Sequence, residues 1–159
     1  MRIGVFLHTG KEQAVQLGKQ LVEFLLARSV TVLVETTTAK LLAHPELVHN
    51  GEISTADVVV VLGGDGTLLR AARLMSNHDV PVLGVNMGHL GFLTELEKDG
   101  LFAAMDQLLA GDYSVEDRMM IEGVVLRNDE QVACFRALND VVVTRGTFAR
   151  MINVSAYID

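Results

Sequence analysis

An α/β fold is predicted: an open, mostly parallel sheet with flanking helices over residues 1–115, then the first antiparallel strands of an incomplete β-sandwich over 116–159. Three observations support this. Residues 58–62 form a continuous apolar run, as in a strand buried on both faces, which breaks into Gly63-Gly64-Asp65-Gly66. Leu68, Leu69, Ala71, Ala72, Leu74 and Met75 then resume at helical spacing, so the stretch reads as strand, tight turn, helix. Beyond Tyr113 the helical spacing gives way to short strands with no helix between them, an antiparallel organisation.

In chain order, residues 2–7 read as a first strand, and Thr9 and Glu12 have capping-box spacing. An apolar stripe at Ala14, Leu17, Leu21, Phe24 and Leu25 marks a helix to about Arg28. A second strand is expected at 30–35, a short helix near 39–43 and a loop through Pro45. The central strand 57–62 and a helix over 67–77 follow, then a strand at 81–86 and a second glycine-rich loop at 87–94. Leu101, Met105, Leu108 and Leu109 place an amphipathic helix over 100–110, with Gly111 suited to its end. This alternation makes the sheet Rossmann-like. In the second region, strands are expected at 119–126, 132–135, 138–144 and 151–158, with a turn at 127–130. Such a sheet leaves an apolar face and unpaired edges, so either the natural chain is expected to continue past Asp159 or something else covers this edge.

Composition narrows the function. Half of the residues are hydrophobic, enough for a sizeable core, yet no apolar stretch approaches the ~18 residues of a membrane span. The N-terminus lacks the zones of a secretory signal, and a cytoplasmic protein is the expectation. Cys134 is the single cysteine, which excludes an internal disulfide and a multi-cysteine metal site; among Val132, Ala133 and Phe135 it is expected to be buried. A net charge of −7 argues against binding duplex nucleic acid. An acidic protein that handles phosphates must offset its own field locally, with amides, a few arginines and Mg²⁺.

The 63–67 turn has the character of a phosphate site. Its glycines are expected to supply unusual backbone angles and to leave no side chain in the way, while the helix it opens presents unpaired amides and a positive dipole end. Asp65 is the one acid among those donors, which points to handling a proton or a metal. No Gly-Lys-Ser/Thr follows, and the spacing misses G-x-G-x-x-G, so neither a P-loop nor a dehydrogenase fingerprint is present. His8, between strand and helix, is read as solvated. In open α/β sheets neighbouring strand ends share a ligand crevice, so two successive glycine loops reinforce one another.

With Gly63-Gly64-Asp65-Gly66-Thr67, the loop Gly88-His89-Leu90-Gly91-Phe92 and the run from Ala137 through Asn139-Asp140 to Val143, the chain resembles bacterial members of the ATP-NAD kinase family. The likeness runs along essentially the whole chain and corresponds to roughly the N-terminal half of that family's length. Diacylglycerol and sphingosine kinases share Gly-Gly-Asp-Gly, and phosphofructokinases carry a variant; the other two motifs are what point to NAD kinase. The resemblance implies Mg-dependent transfer of the γ-phosphoryl of ATP, or of polyphosphate, to the 2′-hydroxyl of the adenosine ribose of NAD. It implies Asp65 as the proton acceptor, although Mg²⁺ binding or orientation of the hydroxyl fits the same residue. Gly66 and Arg70 match nucleotide-contacting positions, and Arg70 is suited to fork onto phosphate. Asn139 and Asp140 match the pair that grips the nucleoside, where many members have Asn-Glu. Arg150 matches a further contact. Phe92 matches a residue lining the adenine pocket, although an aromatic after a glycine turn is equally an ordinary core residue.

The family continues into more β structure, including a Thr-Ala-Tyr stretch that contacts NAD, so the site carried here is incomplete. Relatives are homo-oligomers. A lipid or sugar kinase sharing the first motif, and a non-catalytic nucleotide-binding module, are the alternatives.

Overall fold

The computed structural model describes residues 1–88, 91–144, 151 and 153–158, with His49 and Asn50 described by their backbone only. The chain divides into two compact units, 1–118 and 119–159, each of which is described by itself.

The first unit is a five-stranded sheet built from β1 (Arg2–Leu7), β2 (Thr31–Leu33), β3 (Val58–Gly63), β4 (Val82–Asn86) and β5 (Leu96–Glu97). Every pairing is parallel, in the order β2-β1-β3-β4-β5. All six residues of β3 are buried, which is why its sequence is unbroken Val and Leu rather than alternating. One face of the sheet carries Ile3, Val5, Leu7, Val58, Val60 and Leu62, which form one core with Leu21, Val22 and Leu25 of α1 (Glu12–Leu26) and Leu101, Met105 and Leu108 of α4 (Leu101–Ala110). The short helix α2 (Thr36–Leu42) joins the same core through Ala39 and Leu42.

The opposite face takes α3 (Asp65–Met75). A Cβ on Gly84 of β4 would overlap the Leu68 side chain, and the Arg70 guanidinium lies 5.5 Å from the Phe6 ring centroid. With helices on both faces, the chain leaves β1 towards β2 on one side and later enters β3 on the other. The switch point is therefore the β1/β3 junction, whose carboxyl edge is where open sheets of this kind bind ligands. Among the described residues no helix is long and apolar enough to cross a membrane.

The Thr9 capping box does not form: Lys11 is the N-cap of α1 and makes no side-chain cap bond. The Gly10 N–H instead donates to His8 Nδ1 at 3.2 Å, which turns the chain before the helix begins. Helix α3 starts at Asp65, two residues before the expected Thr67, because Gly64 is already its N-cap. The expected loop at Pro45 is a 3₁₀ turn, Pro45–Asn50.

The second unit is a hairpin of β6 (Ile121–Arg127) and β7 (Glu130–Ala137). It turns at Asn128 (φ 51°) and Asp129 (φ 63°), both left-handed, as a tight two-residue hairpin connection requires. The strands expected at 138–144 and 151–158 are not formed among the described residues, despite their β-branched composition. Strand propensity is realised only against a paired neighbour, and among the described residues none is hydrogen-bonded to them. Cys134, expected to be buried, is exposed, since a lone two-stranded sheet covers neither of its faces.

Candidate functional site

The carboxyl ends of β1, β3 and β4 lie side by side. The His8 N–H donates to Leu62 O at 2.9 Å, and the Met87 N–H donates to Gly63 O at 2.7 Å. These two bonds tie the 63–67 turn between the His8–Lys11 connection and the second glycine loop.

The glycines of the turn leave space, as expected, but supply no unusual backbone angle. Among the described glycines only Gly51 and Gly111 have positive φ, so the turn needs no left-handed residue; Gly64, at φ −128°, is ordinary extended backbone. Space is the constraint at Gly63, where a Cβ would overlap the buried Thr67 side chain and prevent α3 from folding back onto β3. Above Gly64 and Gly66 nothing lies within 4 Å of a built Cβ, so the first turn of α3 faces open space. The amides of Asp65 and Gly66 have no carbonyl ahead of them in the helix, which leaves donors and the positive dipole end directed there.

Asp65 is half-buried, and its carboxylate is claimed by the second loop. Phe92 N–H donates to Oδ2 at 2.9 Å and Leu93 N–H to Oδ1 at 3.1 Å. Each oxygen keeps a second acceptor site, so the group stays able to take a proton or meet a cation while its orientation is set. Gly91 makes this grip possible, because a Cβ there would overlap the Asp65 carboxylate. The loop is anchored at its start by Asn86, 5% exposed, whose amide donates to Gly88 O at 3.3 Å and accepts the Gly88 N–H at 3.1 Å.

The structure thus brings Asp65, Gly66 and Phe92 to one edge of the sheet. Phe92 is fully exposed, which removes the reading of it as an ordinary core residue. Arg70 sits one turn into α3 and is exposed, with its guanidinium over Phe6 and no acidic partner among the described residues. Asn139 and Asp140 belong to the second unit, where they are exposed just beyond β7. Arg150, and His89 and Leu90 of the second loop, lie outside the described residues. No group of three His, Cys, Asp or Glu side chains could hold a metal among the described residues. A groove of about 530 Å³ also opens along α1, lined by Gln13, Gln16, Gln20, Met87, Lys98 and Phe102 among others, and none of the sequence-predicted site residues lines it.

Gly91, Asn86 and the amides of Phe92 and Leu93 were not assigned roles from sequence. Gly91 carried a legible signal as part of the second motif. The amides carried none, since any residue except proline supplies one.

The profile of the ATP-NAD kinase N-terminal domain matches residues 3–113. The chain is 46% identical over 159 residues to the NAD kinase of Moorella thermoacetica, covering 99% of this chain and 51% of that protein. It is 45% identical to the NAD kinase of Heliobacterium modesticaldum, covering 97% and 55%. Among solved structures, yeast NADH kinase complexed with NADH superposes with a TM-score of 0.74 at 19% identity, covering 87% of this chain and 47% of that one. That likeness supports the fold alone. The chain spans about half the length of the curated relatives it matches. On the match over residues 3–113, which includes the 63–67 turn and the 87–94 loop, the chain belongs to the ATP-NAD kinase family.

Proposed function

We propose that the chain is the N-terminal part of a NAD kinase, which transfers the γ-phosphoryl group of ATP to the 2′-hydroxyl of the adenosine ribose of NAD. The observation that carries this reading is the Asp65 carboxylate, held by Phe92 and Leu93 beside the open N-terminus of α3 in a chain of this family. The 2′-oxygen attacks the γ-phosphorus, the bond to the β-phosphate oxygen breaks, and Asp65 accepts the hydroxyl proton. The amides of Asp65 and Gly66 and the guanidinium of Arg70 would offset the phosphate charge, and Phe92 would cover the base; in the second unit Asn139, Asp140 and Arg150 are the residues proposed to contact the nucleoside. Asp65 is the one carboxylate of the turn that could help to hold a Mg²⁺ arriving with the nucleotide, and the ion would supply charge neutralisation. The exposed apolar side chains of the β6–β7 hairpin, Leu126 and Val132 among them, support a homo-oligomeric assembly, and the composition supports a cytoplasmic one.

The test is Asp65→Asn in the intact protein. Turnover is expected to fall by about 10²–10⁴-fold, with NAD affinity within a few-fold of the parent. A kcat close to the parent's would remove Asp65 from the chemistry. NAD binding without turnover in the parent protein would make it a non-catalytic nucleotide module instead.

A further inference from the structure

We infer that Lys11 is a further ligand-binding residue of this site, contacting the polyphosphate chain of the phosphoryl donor; the assignment of donor rests on the kinase reading above. Three observations meet at this side chain. Its ammonium nitrogen lies 3.6 Å from the position a Cβ on Gly88 would occupy. Lys11 itself belongs to the connection leaving β1, within one turn of His8, whose carbonyl accepts the Lys11 N–H at 3.1 Å. Gly88 follows β4, and β3 lies between β1 and β4. A side chain that starts beyond β1 and ends beside Gly88 spans the distance between the ends of β1 and β4, with β3 lying between them in the sheet. Lys11 and Gly88 thus share the carboxyl edge of the sheet with the 63–67 turn, above which Gly64 and Gly66 leave open space.

The second observation is electrostatic. Lys11 is the N-cap of α1, where the helix dipole is positive and a cation is unfavourable, and its side chain makes no capping bond. Ser, Thr, Asp or Asn would serve the helix better there. A residue that opposes its local setting is expected where function requires it. Third, Lys11 is exposed and has no acidic partner among the described residues, although the chain carries a net charge of −7. An anion between the ends of β1 and β4 would relieve both conflicts. A linear polyphosphate is the chemical class that also meets the α3 amides on the adjoining turn.

Lys11→Gln and Lys11→Arg in the intact protein test this, using inorganic triphosphate binding by calorimetry, steady-state kinetics with ATP and NAD varied in turn, and thermal unfolding without ligand. Lys11→Gln is expected to weaken triphosphate binding and raise the KM for ATP by about tenfold to a hundredfold. The KM for NAD should stay within about twofold, and Lys11→Arg should recover most of the loss because it restores the charge. The Tm of Lys11→Gln should equal or exceed the parent's, since a cation has left a helix N-terminus. A residue that merely supports the fold would move Tm and ligand affinity down together. Triphosphate affinity and ATP KM both unchanged in an active Lys11→Gln protein would overturn the inference. Lys11-dependent triphosphate binding in a protein that does not phosphorylate NAD would uphold Lys11 and overturn the kinase reading instead.

Discussion

The Oδ2 of Asp65 accepts the backbone N–H of Phe92 at 2.9 Å, so the acid of the first glycine turn is aimed by the main chain of the second. A carboxylate on an open helix start would otherwise sample several rotamers. Two amides from one loop, at Phe92 and Leu93, hold it in one orientation, and Asn86 in turn holds the loop.

Gly91 is the position where this arrangement is most sensitive. An added methyl overlaps the Asp65 carboxylate and must displace either the acid or the loop. Displacement of a reacting group by about 1 Å costs on the order of 10²-fold, so Gly91→Ala should lower kcat by about that factor with a smaller change in the KM for NAD. Steady-state kinetics checks this: a fall in kcat with the KM values for ATP and NAD near the parent's separates a shifted acid from general damage to the edge.

Phe92 has no burial to lose. Phe92→Ala should leave stability within about 0.5 kcal/mol of the parent, as for surface positions away from special features. If the ring covers the adenine, affinity for NAD should fall by about tenfold, the scale of one lost aromatic stacking contact. Calorimetry with NAD and urea unfolding on the same protein check both halves; a destabilised variant with unchanged affinity contradicts the placement.

The parallel half of the fold was legible because burial on both faces leaves an unmistakable pattern, as in the run from Val58 to Leu62 between two helical stripes. The site was legible as far as side chains carry it, namely Asp65 and the glycine loops. What holds Asp65 was not, because backbone amides leave no mark in composition. Among the described residues the strands expected at 138–144 and 151–158 are absent for a related reason: a strand depends on its neighbour as much as on its own residues.

Asp57 gives the fold a defined acid response. Its carboxylate accepts the Arg2 backbone N–H at 2.7 Å, and the Arg2 guanidinium stands 3.4 Å away. The backbone bond first, and the guanidinium after it, hold this carboxyl below the ordinary value of 3.8. A depressed pKa in the folded state means that the unfolded chain binds the proton more tightly. The contribution is therefore complete above the unfolded value and is lost as pH falls through the lower folded one. Asp57→Ala should cost about 1 kcal/mol at neutral pH, a modest figure because the pair is solvent-screened. Urea unfolding should show the gap from the parent closing in acid; a gap that persists unchanged at about pH 2 would assign the loss to packing.

Asp129 carries a backbone cost that glycine would remove. Both central residues of the β6–β7 turn are left-handed, and Asn-Gly is the pair best suited to that geometry. Asp129→Gly should stabilise the hairpin by up to about 1 kcal/mol. Slower amide hydrogen exchange across β6 and β7 is the expected readout, and faster exchange would count against the turn as described.

The clasp between Arg2 and Asp57 lies where β1 and β3 begin, and the glycine turn lies where β3 ends, roughly 20 Å away along the strands. Substitutions separated by that distance, with no shared partner, combine independently. Sturdiness in acid and the candidate site are thus written on opposite rims of one sheet, and either rim is open to redesign without disturbing the other.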